Sequence, residues 1–256
     1  MCAGRRSPLP EPVFTTLISI FAKKLIRAYD GAMPNDENIS DTIEDYLQSI
    51  YSLETEGERV ISARLARWMR VTPPTAFMTV KRMKKAGLIE MDDKKTIRLT
   101  PHGLELAESV ARRHRLSERF LNDVLGLGWA EAHEEAHHFE HGMTPVIEAR
   151  MVHILHNPTT CPHGSPIPGT GATLDPTWRS LDTFEPGDRL CIRFISEELE
   201  MDLDLLHYLD KHNLRPGQEV SVADKVKAGS LLVLRSGDED VSLGMQVASR
   251  IRAEAL

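Results

Sequence analysis

The sequence predicts a mainly α-helical chain in three parts: an N-terminal winged helix-turn-helix, a helical middle region and a small C-terminal β-barrel. Three observations carry this. Helix start and stop signals with apolar residues at the 3.6-residue period recur from Ser40 to about residue 155. Two short extended runs joined by a charged tip follow the third of these helices. The character then shifts after residue 183 to short β-like runs punctuated by Pro-Gly pairs at 186–187 and 216–217. At 256 residues the chain is long enough for two or three domains.

Residues 1–34 read as an extension, in which Pro8, Pro10 and Pro12 oppose regular structure and Val13–Tyr29 fits one amphipathic helix ending at Gly31. Ser40 or Asp41 can cap the next helix, whose apolar positions Ile43, Tyr46, Leu47, Ile50 and Leu53 share one stripe up to a stop near Gly57. Ser62 is expected to cap a short helix, Ala63–Met69, and Thr72 another that opens on Pro73 and stops at Gly87. That third helix turns Val80 and Met83 inward and Thr75, Phe77, Met78, Lys81, Arg82, Lys84 and Lys85 outward. The runs Leu88–Met91 and Thr96–Leu99 complete a winged helix-turn-helix over 35–100. A long helix from Thr100-Pro101 to about Leu125, then Ala130–His141 and Thr144–Leu155, make a helical domain over 101–156. Residues 157–182, rich in Pro, Gly and Thr, read as a linker. Residues 183–256 fit a small barrel with a helix around Glu197–His212 and β-like runs at Glu219–Val222, Leu231–Arg235 and Val241–Leu243.

Hydrophobic residues at 41% and charged residues at 27% exclude a disordered chain. The net charge of -7 hides an uneven distribution. Between Glu58 and Thr100 stand 11 Lys/Arg against 4 Asp/Glu, a local charge of +7, so the remainder carries -14. A basic island in an acidic chain is the footprint of one DNA-facing surface, and the acidic remainder suits cations. Cys2, Cys161 and Cys191 have neither finger nor disulfide spacing, and the apolar stretch Val13–Phe21 is too short to span a bilayer and lacks a clean cleavage site. A cytoplasmic protein without a membrane partner is expected.

The stretch from Glu131 to His141 carries most of the chemistry. At 100° per residue, His133, His137, His141 and Glu140 fall on one stripe about 100° wide. Imidazoles and a carboxylate gathered this way suit a divalent cation, whose remaining ligands must come from other elements. His114 and Glu118, an i,i+4 pair on the long helix, and Asp45 on the first helix are the candidates. The same residues formally satisfy H-E-x-x-H, so the alternative is a zinc metallopeptidase with Glu134 as base between His133 and His137. No separate third-ligand pattern follows, and a peptidase leaves the basic island unexplained. A metal-binding protein without DNA function is the other alternative. Cys161 and His163 form a C-x-H pair that we read as part of a turn-rich connection rather than as ligands.

The third helix has the marks of a recognition helix, with Thr72, Pro74, Thr75 and Met78 in the half that meets base edges. Thr75 can hydrogen-bond, whereas Ala76, Phe77 and Met78 offer mainly apolar contact, to thymine methyls where they point outward. Arg64, Arg67, Arg82, Lys84, Lys94 and Lys95 are candidates for phosphate contacts.

Together, Thr42-Ile-Glu-Asp-Tyr-Leu-Gln-Ser-Ile-Tyr51, Arg113-His-Arg-Leu-Ser-Glu118, His133-Glu-Glu-Ala-His-His-Phe-Glu-His141 and Cys161-Pro-His-Gly-Ser-Pro-Ile-Pro168 resemble the diphtheria toxin repressor family of iron- and manganese-dependent regulators over roughly residues 36–256. The resemblance implies a homodimer through the long-helix region, metal-activated repression of metal-uptake genes through operator DNA, no small organic substrate and no enzymatic activity, and an SH3-like C-terminal domain. By position it assigns Asp45, His137, Glu140 and His141 to an activating metal site and His114, Glu118 and His133 to an ancillary one, with Asp202 lending a carboxylate to the latter. Gln48 stands where manganese-type members have a carboxylate. Iron-type members have Met at the place of Asp45 and Cys at that of His137, and manganese-type members share the Asp but have Glu at the second. The activating site here is thus sulfur-free, which favours Mn(II), then Fe(II), with Zn(II) or Co(II) able to substitute.

Overall fold

The computed structural model describes residues 40–256. The expected 1–34 extension and its helix lie outside the described residues.

Helix α1 (Asp41–Thr55) buries Ile43, Tyr46, Leu47, Ile50 and Leu53, the stripe its periodicity dictates. It breaks at Gly57, which takes a φ of 81°. Helix α2 (Ser62–Trp68) is entered through Ile61 in extended conformation with no side-chain cap, so Ser62 is a helical residue rather than the expected cap. Thr72 caps α3 (Pro73–Lys85), accepting from the Thr75 N–H, and Ala76, Val80 and Met83 pack inward. Strands β1 (Ile89–Met91) and β2 (Ile97–Leu99) pair antiparallel as the wing.

Thr100 both caps α4 (Pro101–Asp123) and donates its hydroxyl to the Gly87 carbonyl, locking wing to helix. Helices α5 (Trp129–Glu140) and α6 (Pro145–Ile154) follow, the latter capped by Thr144. The long helix α4 packs on both α1 and α5, and so forms the spine of the molecule.

The stretch read as a linker is in part a packed element. Residues 161–168 are all buried. Cys161 N–H donates to the Ser165 carbonyl, and the His163 carbonyl accepts from the Ile195 N–H. A Cβ on Gly164 would sit 2.2 Å from the Arg193 carbonyl oxygen, and its φ of 91° disfavours any other residue. Gly164→Ala should therefore cost about 2–3 kcal/mol, read as a lower urea midpoint at unchanged slope.

In the C-terminal region the expected barrel is an open six-stranded antiparallel sheet, ordered β3-β8-β4-β5-β6-β7. Its strands are β3 (Arg179–Ser180), β4 (Arg189–Ile195), β5 (Glu219–Val226), β6 (Leu231–Ser236), β7 (Glu239–Gly244) and β8 (Ile251–Ala255). Bulges near Arg193 and Ala223 bend it, but β3, only two residues long, does not pair with β7 to close it. The single helix expected around Glu197–His212 is two, α7 (Glu197–Glu200) and α8 (Leu203–Lys211). Trp129 and Ala130 from α5 are buried in the core of this sheet domain, which ties it to the helical domain.

Candidate metal centre

Helix α5 turns its ligand stripe toward α4 and α1. Asp45 on α1, His137 and Glu140 on α5 each offer one ligand atom within 4.8 Å of the others. His141 completes the group, its Nε2 3.7 Å from Asp45 Oδ1 and 3.6 Å from Glu140 Oε1. Its Nδ1 lies 2.8 Å from Glu44, which also pairs with Arg113 at 3.2 Å. Glu44 was not legible as a site residue, yet it orients the ring that Asp45 and Glu140 share. Gln48 is buried beside this group with its Oε1 unpartnered. A cavity of ≈ 360 Å³ opens here, lined by Asp45, Gln48, His137 and His141 among others.

A second, deeper cluster adjoins it. Glu118, His133 and Glu200 each place one ligand atom within 4.8 Å of the others, as do Glu118, Cys161 and His163. His133 Nδ1 is 2.8 Å from Glu118 Oε1. His163 Nδ1 is 3.5 Å from Glu118 and 3.4 Å from Glu200. Two expectations are corrected here. Asp202 is exposed and caps α8 by accepting from the Leu205 N–H at 3.1 Å, and the carboxylate that the sheet domain contributes is Glu200. The Cys161–His163 pair, read as a turn, faces the buried carboxylates of Glu118 and Glu200.

His114 joins the two clusters. Its Nδ1 lies 2.5 Å from Glu140 Oε2 and its Nε2 3.3 Å from Glu118 Oε1. Burial works against charge on this ring, but Glu140 and Glu118 outweigh it and hold the imidazole protonated well above its usual range. Burial also opposes ionisation of Glu118, yet His163 and His114 keep it ionised well below the usual range. Burial and then the Glu118 charge push Glu200 far up. Asp45 rises to about 6, through burial offset in part by His141. Burial, then the neighbouring His114 and His133, push His137 down to about 2, so this ring is neutral at any physiological pH.

A divalent cation fits these donors. Glu118 Oε2, His133 Nε2, Glu140 Oε1, His163 Nε2 and both Glu200 oxygens are buried without a hydrogen-bond partner. Each such orphan costs about 1–3 kcal/mol unless something satisfies it. Unpartnered imidazole nitrogens and carboxylate oxygens gathered in this way are a donor set that a divalent cation can take.

Glu134 is exposed and belongs to none of the ligand clusters that His133 and His137 join, so the structure gives the peptidase alternative no support. On the DNA side, Thr72, Pro74, Thr75, Met78, Arg67, Arg82, Lys84, Lys94 and Lys95 are all exposed. Arg64 is not available for phosphate. It is buried, paired at 2.6 Å with both Glu58 and Glu198 of the sheet domain.

The comparisons follow this division. The iron dependent repressor N-terminal DNA binding domain matches residues 38–97, and the iron dependent repressor metal binding and dimerisation domain matches 100–169. The FeoA domain matches 179–255. The iron-dependent repressor IdeR of Mycobacterium leprae is 36% identical over 227 residues, covering 85% of this chain and 98% of its own. The chain belongs to the iron-dependent repressor family. The diphtheria toxin repressor of Corynebacterium diphtheriae is 34% identical to this repressor over 232 residues, covering 86% of it and 100% of its own length. A solved manganese-dependent transcriptional repressor in complex with manganese superposes with a TM-score of 0.73 at 29% identity, covering 84% of this repressor and 100% of that chain. ScaR with bound Zn2+ gives 0.69 at 30% identity, covering 84% and 99%. This repressor is thus a metal-dependent transcriptional regulator with a DNA-binding domain, a dimerisation domain and an SH3-like FeoA domain, and not an enzyme. No helix among the described residues is long and apolar enough to cross a membrane.

Proposed function

We propose that this repressor is switched by Mn(II), with Fe(II) the next best ion and Zn(II) or Co(II) able to substitute, and that it binds operator DNA as a cytoplasmic homodimer to control metal-uptake genes. The observation that carries the reading is the meeting of Asp45, on the first helix of the DNA-binding domain, with His137 and Glu140 on α5 and His141 at its C-terminal end. A bound divalent cation supplies the positive charge that makes these carboxylates attract a common centre rather than repel. Asp45 then fixes α1, and with it α3, at one angle to the helical domain. In a dimer that angle decides whether two recognition helices reach successive major grooves about 34 Å apart. The preference for Mn(II) rests on the sulfur-free set of two imidazoles and two carboxylates. Glu118, His133, Glu200 and His163, with Cys161 beside them, are the donors for a second ion. Exposed Val146, Ile147 and Ile154 on α6 support the dimer surface.

The test is operator affinity with Mn(II), Fe(II), Zn(II) and chelator. Equal affinity in metal and chelator sinks the switch, and tighter binding with Fe(II) than with Mn(II) at matched occupancy sinks the choice of metal. The pH dependence has a definite sign. Asp45 ligates only when ionised, and its pKa is raised to about 6. His137, pushed down to about 2, does not compete. Mn(II) affinity, measured calorimetrically from pH 8 to 5, should be flat at the alkaline end and fall below about pH 6, approaching tenfold per unit.

A further inference from the structure

We propose that the sheet domain grips the DNA-binding domain through α7, so that an ion in the second cluster reaches the recognition helix by a route that does not pass through Asp45. The proposal rests on the second ion and the operator binding proposed above.

Four of the six residues from Ser196 to Met201 bond to the DNA-binding domain. The Ser196 hydroxyl donates to Glu56 Oε2 at 2.6 Å, and the Glu197 N–H to Glu56 Oε1 at 3.2 Å. The Glu197 carboxylate accepts from the Ser52 hydroxyl. Glu198 receives Arg64 at 2.6 Å, and Arg70 donates to the Met201 carbonyl. Glu200 turns the other way. It is fully buried, with one oxygen 3.4 Å from Nδ1 of both His133 and His163. One turn of helix thus has the second cluster on one side and the DNA-binding domain on the other.

Glu118 and Glu200 repel each other when both are ionised, so a cation between them is what seats α7 against α4 and α5. The seam passes that constraint on. Arg64 and Arg250 each lie between Glu58 and Glu198, so four charges alternate in sign across it, and such a network holds an orientation better than an isolated pair. On the far side stand the end of α1, with Ser52 and Glu56, and α2, which leads into α3 across residues 69–72. Asp45 and Ser52 are about 10 Å apart along α1 at 1.5 Å per residue. A single attachment at Asp45 leaves the DNA-binding domain free to pivot about it. A second attachment at the other end of α1 removes the pivot.

The experiment compares the full-length protein with Glu200→Ala at the second cluster, with Glu56→Ala and Glu198→Ala together at the seam, and with all three substitutions. The seam substitutions leave the Ser196 cap of α7 in place. Calorimetric titration counts Mn(II) ions. Affinity for a duplex selected from a random-sequence pool is read as the ratio of Mn(II) to chelator, which cancels effects common to both. The wild type and the seam variant should take two ions, and Glu200→Ala one. Stimulation should fall about tenfold in Glu200→Ala, about tenfold in the seam variant, and no further in the combination, because both break one route. A loss of about a hundredfold in the combination overturns the proposal, as does full stimulation in the seam variant or loss of an ion from it. Amide exchange gives a readout free of DNA. In Asp45→Ala, Mn(II) should still slow exchange across residues 62–85, and the seam substitutions should abolish that slowing. Absence of slowing in Asp45→Ala also overturns the route. If Glu200→Ala takes as many ions as the wild type, the second-ion reading itself fails and the proposal falls with it.

Discussion

Asp45→Ala should lower Mn(II)-stimulated operator affinity by at least about a hundredfold, because removing a direct ligand exceeds the 10–100-fold cost typical of losing a supporting hydrogen bond. The loss should be specific. The Asp45 side chain is 32% exposed, and its raised pKa means that its charge does not stabilise the metal-free fold, so the variant in chelator should melt no lower than the wild type. Asp45→Asn, which keeps the shape and removes the charge, should lose most of the same stimulation. Full Mn(II) stimulation in Asp45→Ala would take this residue out of the switch. Glu44→Gln is the graded companion. It touches His141 rather than the ligand group as a whole, and should cost about tenfold in Mn(II) affinity, measured by titration.

The largest stability effect is expected at Glu197. Its carboxylate receives Arg115 at 2.6 Å and the Ser52 hydroxyl, and Arg115 is 2% exposed. Burial opposes ionisation of Glu197, but Arg115 outweighs it and the carboxyl stays below its ordinary 4.5. A depressed folded value means that the pair stabilises fully above the ordinary range and loses its effect only as pH falls through the folded value. Glu197→Ala leaves a buried guanidinium without its countercharge and should cost about 3–5 kcal/mol in urea unfolding. Replacing both members with apolar residues, as in Glu197→Leu with Arg115→Met, should recover most of that loss. A double variant as unstable as the single one would show that packing, not the stranded charge, sets the effect.

Local signals made most of the fold legible. The spacing from Ile43 to Leu53 gave the buried face of α1, and Thr72, Thr100 and Thr144 announced three helix starts that the structure keeps. Likewise the one-sided ligand stripe of α5 follows from helix geometry alone. What depended on distant packing was not readable. Whether Glu200 or Asp202 reaches Glu118 depends on the break between α7 and α8 and on how Trp129 seats the sheet domain against α5. The position carried over from the family resemblance placed the contributed carboxylate two residues late. The signal was nonetheless present, since Ser196 and Asp202 are both good caps preceding acidic or apolar first turns. Arg64 failed for a related reason. Its charge argued for phosphate, and Glu58 together with Glu198, which arrives from 134 residues away, diverts it.

That diversion limits how the domains can be recombined. Arg64 and Glu58 on the DNA-binding side interlock with Glu198 and Arg250 on the sheet side, and Arg70 donates to the Met201 carbonyl across the same seam. A chimera that grafts residues 40–100 onto a relative's remaining domains inherits half of this lock. Unless the remaining domains supply equivalents of Glu198 and Arg250, Arg64 and Glu58 keep each other but each loses the second partner it has across the seam. Substitutions confined to exposed residues of the DNA-binding domain, by contrast, leave this lock intact.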